Sequence, residues 1–179
     1  MLLRSIASLA CTVLLSAATL TPAVAQNAQP KPSPPATATV SLNGRDVTIN
    51  YSAPSMRGRK IMGGLVPFDK VWRTGANEAT TFVNQGDLKI GPAKVPAGSY
   101  TLYTLPDSTR WLLIINKQTG QWGTVYDQSK DLVRIPMHSK TLSTPQEKMS
   151  ITFENTVGNI TELHIRWENT DQYIEIVGQ

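Results

Sequence analysis

The sequence predicts an all-β protein, a single-domain β-sandwich or jelly-roll-like fold of about nine or ten short strands. Segments rich in Val, Ile, Thr and aromatic residues recur along the chain, and Gly, Pro, Asn and Asp separate them. No segment keeps the 3.6-residue periodicity of an amphipathic helix. At most one short helical turn is expected, near Pro67–Trp72, because proline suits the first position of a helix.

The clearest pair of strands flanks Asn43-Gly44. Asn-Gly readily adopts the positive φ angles of a type I′ turn, which joins two antiparallel strands. After the turn, Val47, Ile49 and Tyr51 alternate with polar residues, so one face of the strand should be buried. A hairpin is therefore predicted over residues 37–51.

The composition of two later segments indicates where each strand lies within its sheet. Trp111–Ile115 is apolar on both faces, which is typical of a central strand covered on both sides. Leu132–Met137 alternates, but Pro136 has no amide hydrogen and so indicates an edge strand or a bulge. Further strands are predicted at residues 80–83, 88–90, 99–105, 149–153, 160–167 and 173–177, with the last two forming a pair around residues 169–171.

The N-terminus has the features of an export signal. Arg4 precedes an uncharged apolar run, and Ala23-Val24-Ala25 gives a small-residue cleavage site before Gln26. The run is shorter than the roughly 20 apolar residues that a membrane-spanning helix needs. We therefore expect a cleaved signal peptide at 1–25, no membrane anchor, and a periplasmic or extracellular protein. A proline-rich tether at 26–35 then precedes one domain at 36–179.

Composition excludes several classes of function. The net charge is +4, and removing Arg4 lowers it by one; the basic residues are dispersed, so no nucleic-acid-binding surface is predicted. The one cysteine, Cys11, lies in the predicted signal peptide. The predicted mature chain therefore contains no disulfide, no thiolate metal site and no cysteine nucleophile.

The familiar catalytic motifs are also missing. The chain has no Gly-x-Ser-x-Gly elbow, no phosphate-binding Gly-x4-Gly-Lys-Ser/Thr loop and no His-Glu-x-x-His. With only His138 and His164, a three-histidine zinc site is impossible. We expect no metal and no cofactor, and both histidines facing solvent. Spacing alone leaves a serine-histidine-acid triad open, since triads assemble in space rather than in sequence.

One predicted strand carries a row of charges. Glu162, His164, Arg166 and Glu168 alternate with apolar residues and should form one face of the strand. We expect a solvated face whose charges limit edge-to-edge aggregation. A concave binding face is the alternative.

The segment from Gly58 to Phe82 is the one that strand-and-turn patterns do not explain. In the structural interpretation, Trp72 anchors this loop in the core, Asn77 makes an Asx-type turn bond and Arg73 pairs with Glu78. In the functional one, the same polar residues line a pocket for an anionic or hydroxylated ligand. The candidate ligand-binding or ion-pair residues are Arg59, Lys60, Trp72, Arg73, Asn77, Glu78 and Trp122.

Three segments together resemble a known family. The run Gly58–Thr81, the Pro-Ala-Gly-Ser-Tyr-Thr-Leu at 96–102 and the loop Gln121-Trp122-Gly123 are similar to the secreted bacterial domain-of-unknown-function 2911 family. The resemblance covers about residues 36–177. The chain departs from it at Phe68-Asp69, where members commonly carry an aromatic-Gly pair. The resemblance implies an exported, single-domain, mostly β protein and no established activity.

Three functions remain open from the sequence. The first is a non-catalytic module that binds a small polar molecule or carbohydrate through the Arg59–Glu78 loop and Trp122. The second is a hydrolase with Glu78 or Asp69 as general base, which requires a carboxylate of raised pKa. The third is a structural or assembly protein of the cell envelope, marked by an exposed apolar patch. The sequence leaves the oligomeric state open.

Overall fold

The computed structural model describes residues 31–179; the predicted signal peptide and residues 26–30 of the predicted tether lie outside this part. Two antiparallel sheets form a β-sandwich, as predicted. Within the described residues the strands are β1 (Pro35–Leu42), β2 (Arg45–Ser52), β3 (Thr81–Asn84), β4 (Leu88–Ile90), β5 (Ala93–Val95), β6 (Gly98–Leu105), β7 (Leu112–Asn116), β8 (Asp131–Pro136), β9 (His138–Val157) and β10 (Ile160–Gly178). The six-stranded sheet has the order β1-β2-β3-β6-β7-β8, and the four-stranded sheet has the order β5-β4-β10-β9.

The hairpin at Asn43-Gly44 is confirmed. Leu42 pairs with Arg45, so the turn contains only the two residues between them. Asn43 has φ 53° and Gly44 has φ 72°, the left-handed values that a type I′ turn requires. The turn therefore sets the register of the first two strands.

The predicted positions within the sheet are also confirmed. β7 lies between β6 and β8, and β8 forms the edge of the six-stranded sheet with Pro136 at its end. Leu113 and Ile115 of β7 are buried in the core between the sheets, while Ile114 is buried on the opposite face. This strand is therefore covered on both sides.

The last two predicted strands are in fact one. β10 runs without interruption from Ile160 to Gly178 and pairs with the equally long β9, which begins at His138 rather than at Met149. Residues 169–171, predicted as a turn, lie at register shifts where the ladder bulges. The sequence analysis also missed β5, whose three residues carry too short a pattern to detect.

A sharp bend divides β10. Tyr173 stacks on His164 with ring centroids 5.2 Å apart, although nine residues of straight strand would separate them by about 30 Å. Glu168, between them, has φ 53°, a left-handed conformation inside the strand. The bend therefore brings the two halves of the strand together.

The predicted helical turn near Pro67–Trp72 is not helical. This segment forms a hydrogen-bonded turn in which Asp69 has φ 58° and donates its amide to the Pro106 carbonyl at 2.8 Å. The left-handed backbone of Asp69 is incompatible with a right-handed helix. In residues 31–179, helix is limited to a single 3₁₀ turn at Gln128–Lys130.

The core fills the space between the two sheets. Both sheets contribute apolar side chains, including Leu42, Val47, Ile49, Phe82, Leu102, Leu113 and Ile115 from one and Leu88, Ile90, Met149, Ile151, Leu163, Ile165, Trp167 and Ile176 from the other. None of the helices in the described part of the chain is long and apolar enough to cross a membrane.

Loops cover the outer face of the six-stranded sheet. Thr101 donates its hydroxyl to the Gln118 carbonyl at 2.7 Å, and the Thr104 and Thr74 hydroxyls lie 3.0 Å apart. All three threonines are fully buried. These polar contacts hold the segments 72–80 and 117–130 against the sheet and so fix the position of the candidate site.

Candidate functional site: a cleft beside Arg73

The long connection between β2 and β3 is held in place by hydrogen bonds to residues of both sheets. Glu168, at the bend of β10, accepts hydrogen bonds from the backbone amides of Ile61 and Met62 at 3.1 and 3.0 Å. Trp72 exchanges two backbone hydrogen bonds with Thr104, at 2.8 and 3.0 Å. The loop is therefore attached to both sheets.

Trp72 anchors the loop, as predicted. Its ring stacks on Trp167 with centroids 5.8 Å apart and planes at 18°. It also meets Trp111 edge-on, with centroids 6.2 Å apart and planes at 87°. Each geometry is a favoured aromatic arrangement, so the three tryptophans join the loop to both layers of the sandwich.

A cleft of about 280 Å³ is lined in part by Trp72 and Trp167. Its polar side chains include Arg59, Arg73 and Asn77, and Leu65, Val66, Trp72 and Trp167 give it an apolar side. Every acidic side chain of residues 31–179 lies outside its lining. The cleft is therefore cationic and half apolar.

Arg73 lacks the partner that the sequence predicted. No carboxylate of residues 31–179 lies within salt-bridge distance of it, and its buried Nε atom donates to no acceptor within this part of the chain. Burial lowers the pKa of the guanidinium below its ordinary value. The predicted Arg73–Glu78 ion pair is therefore wrong, and Arg73 keeps unused hydrogen-bonding capacity.

Glu78 points away from Arg73 and pairs with Lys31. The loop from Arg73 to Glu78 turns through left-handed residues at Thr74 (φ 52°) and Asn77 (φ 60°), and this backbone path separates the two side chains. Glu78 is about half exposed, and its hydrogen bond from Lys31 holds its pKa below the ordinary value. Its carboxylate is thus stabilised in the charged form.

The N-terminal segment forms one wall of the cleft. Asn77 donates its side-chain amide to the Ser33 carbonyl at 3.3 Å instead of making the predicted Asx-type turn bond. Arg57 donates to the Pro32 carbonyl at 2.7 Å, and the Ala53 amide donates to the Pro34 carbonyl at 2.8 Å. The last residues of the predicted tether therefore pack on the domain and carry Ser33 into the cleft.

The other two basic candidates, Arg59 and Lys60, differ in whether they line the cleft. Arg59 lines the cleft, but its Nε and one Nη donate to the carbonyls of Met56 and Ser55 at 2.9 and 2.7 Å. Lys60 is exposed and lies outside the lining. Arg59 thus contributes mainly positive potential, while Arg73 contributes free donors.

Trp122 lies outside the cleft but close to Arg73. Its side chain is 52% exposed, and its backbone forms an isolated β-bridge with Glu78. The next residue, Gly123, donates its amide to the Asn77 carbonyl at 3.2 Å and packs against the stem of Arg73. The loop containing Trp122 therefore positions the arginine, and its indole remains free on the surface.

The charged row on β10 belongs to a partly buried network rather than a solvated face. His164 is only 2% exposed, and its Nδ1 lies 2.8 Å from the buried carboxylate of Asp171. Arg166 donates its Nε to Asp171 at 3.0 Å and its Nη2 to Glu154 at 2.9 Å. The expectation of a solvent-facing histidine holds for His138 and is wrong for His164, because the bend of β10 brings Asp171 over the ring.

This network does not form a hydrolytic triad. His164 and Asp171 have the geometry of a base and its orienting acid, but the other ring nitrogen, Nε2, faces Glu162 at 3.3 Å. A carboxylate at that position cannot serve as the nucleophile's hydroxyl. Among residues 31–179, no group of three His, Cys, Asp or Glu side chains is arranged to hold a metal ion.

Sequence reasoning missed several lining residues of the cleft, including Leu65, Val66, Ser33 and Trp167, and one residue that supports it. Ser33 was assigned to an extended tether, Trp167 to the end of a strand, and Gly123 only to a loop. These three come from segments far from Arg73 in the chain. Gly123 had the one readable signal, since a glycine permits the close approach of another group.

Comparison with family models gives one match. A model described as "Protein of unknown function (DUF2911)" matches residues 33–176. Comparisons with curated proteins and with solved structures find no match. The matched region contains every strand of the sandwich except the last two residues of β10, and all the candidate site residues. The chain belongs to the DUF2911 family of proteins of unknown function.

Proposed function

We propose that this protein is a non-catalytic binding module whose cleft takes a small ligand carrying an anionic group. The observation that carries this proposal is Arg73, a partly buried guanidinium without a carboxylate partner in residues 31–179, on the wall of a cleft. An uncompensated buried charge is costly and persists where function uses it. A bound anion would supply the missing partner.

The chemistry of the cleft favours an anion over a cation. Arg73 can offer two parallel N–H donors to a carboxylate or phosphate, which is the strongest common form of charged hydrogen bond. Arg59 adds positive potential from the same lining. Because the predicted signal peptide directs export, we propose that this binding occurs in the periplasm or outside the cell.

The hydrolase alternative has less support. A general base at neutral pH needs a raised pKa, whereas Lys31 holds the pKa of Glu78 below its ordinary value. The second candidate, Asp69, lies apart from the cleft in a larger but more open depression of about 440 Å³, with Asp107 and Arg110. The binding role therefore accounts for the cleft without requiring a reaction.

The test is a thermal-shift screen of the protein purified after export. Small anions (acetate, benzoate, citrate, phosphate) and neutral sugars (glucose, galactose) are compared at equal ionic strength. We expect at least one anion to raise the melting temperature and Arg73→Gln to abolish that rise. Arg110→Gln, an exposed arginine outside the cleft, is the matched control and should leave the rise intact. Stabilisation by neutral sugars alone would contradict the proposal.

A further inference from the structure

We infer that the ligand of this cleft is a monocarboxylic acid with an apolar body, rather than an inorganic anion or an acidic sugar. The inference rests on the proposed function and goes further by assigning the rest of the ligand. Arg73 would bind the carboxylate, and the apolar body would lie against Leu65, Val66 and Trp72.

The number of free donors indicates a single anionic group. Two of Arg59's nitrogens are already engaged by the carbonyls of Ser55 and Met56. Asn77 donates its side-chain amide hydrogen to the Ser33 carbonyl. Arg73 remains as the group with an unsatisfied buried donor in the described chain. One guanidinium with free donors matches one carboxylate.

The apolar side of the cleft indicates the rest of the ligand. Leu65 is 49% exposed at this wall. Val66, Trp72 and Trp167 continue the same surface inward. Phosphate or sulfate would leave this apolar surface exposed to water. An apolar body would cover it, and the binding free energy would become more favourable in proportion to the area covered.

A sugar fits the lining poorly. Sugar hydroxyls donate their strongest hydrogen bonds to carboxylates, but no acidic side chain of residues 31–179 lines the cleft. The exposed aromatic ring on which a sugar could stack, Trp122, lies outside it. A volume of about 280 Å³ is also just below the usual range for drug-sized ligands, which favours a small acid.

The test uses matched probes, with tryptophan fluorescence and thermal shift as readouts. Benzoate carries charge and an apolar body; benzamide keeps the shape without the charge; acetate and phosphate have charge without the body; glucuronate has a polar body. We expect benzoate to bind about tenfold or more tightly than acetate, phosphate or glucuronate, the gain that burying an apolar ring would give. Benzamide should not bind.

Two variants separate the parts of the site. Leu65→Ser should weaken benzoate several-fold and leave acetate unchanged, whereas Arg73→Gln should remove both. Val125→Ser, at an exposed valine outside the cleft, is the control and should change neither.

The outcomes distinguish the two proposals. Equal affinity for benzoate, acetate and phosphate, all lost in Arg73→Gln, would overturn the inference and leave the anion-binding function standing. Glucuronate bound most tightly and lost in Trp122→Ala would also overturn the inference and move the site to the surface indole. Equal binding of benzamide and benzoate, or no binding by any probe, would overturn both.

Discussion

Gly123 lies against Arg73 so closely that a Cβ atom on the glycine would come within 2.3 Å of Arg73 Cδ and 2.7 Å of the Asn77 carbonyl. No side chain fits there. The contact joins two segments nearly fifty residues apart and presses the stem of the arginine into its position beside the cleft. The orientation of the guanidinium therefore depends on a loop that does not line the cleft.

Gly123→Ala should displace Arg73 and weaken anion binding at least tenfold, since the added methyl group collides with both the side chain and the Asn77 backbone. Calorimetric titration with whichever anion the thermal-shift screen identifies measures this. Thr124→Ala, an exposed neighbour in the same loop, should retain full affinity. Undiminished binding in Gly123→Ala would show that the close packing is irrelevant to the site.

Arg73→Met should stabilise the ligand-free protein. Methionine keeps the apolar stem that packs on Gly123 and removes a partly buried charge that has no carboxylate partner in residues 31–179. A gain of about 1 kcal/mol would raise the melting temperature by about 2–4 °C in a protein of this size. Scanning calorimetry without ligand measures it. A large fall in melting temperature would instead assign Arg73 a structural role.

Glu78→Gln should change stability little. The pair that Glu78 forms with Lys31 is exposed on both sides, and such pairs contribute little to stability because water and salt screen them. Urea unfolding at low and high salt measures the difference. If the unfolding midpoint of the variant fell strongly at both salt concentrations, the N-terminal segment would be a principal support of the domain.

Glu168→Ala should be strongly destabilising. The carboxylate accepts the amides of Ile61 and Met62, and removing it leaves two partly buried donors unpaired at a cost of about 2–3 kcal/mol. The expected melting temperature falls by about 4–12 °C. Glu175→Ala, an exposed glutamate on the same strand, is the control and should have little effect. Equal effects of the two substitutions would contradict the anchoring role.

The free energy of unfolding should fall in acid, partly because Glu154 becomes protonated. The hydrogen bonds from Arg166 lower the pKa of Glu154 from 4.5 to about 2. Because the folded-state pKa is depressed, this contribution is fully present above about pH 4.5 and is lost as the pH falls through about 2. Urea midpoints compared at pH 7 and pH 3 should differ less in Arg166→Met than in the native protein. An unchanged pH dependence would show that Glu154 does not contribute to acid unfolding.

Local patterns accounted for most of the strands because their causes are local. The Asn-Gly turn, the two-faced apolar run of β7 and the proline at the end of β8 each act within a few residues. The same locality explains the error at residues 169–171. Asn-Thr-Asp is typical of a turn, yet long-range pairing with β9 absorbs it as a bulge within one strand.

The candidate site, like the fold, was predicted from the sequence only where its features depend on nearby residues. The sequence by itself determined the β-sandwich, the family and the loop that carries Arg73, Asn77 and the anchoring Trp72. Only the tertiary structure decided the partners: Glu78 pairs with Lys31, Asn77 with Ser33, and Arg73 with no carboxylate of the described chain. The physical reason is the separation in sequence between the groups that interact. Turns and alternation depend on neighbours in the chain, whereas ion pairing depends on where the folded backbone places groups that are far apart in sequence.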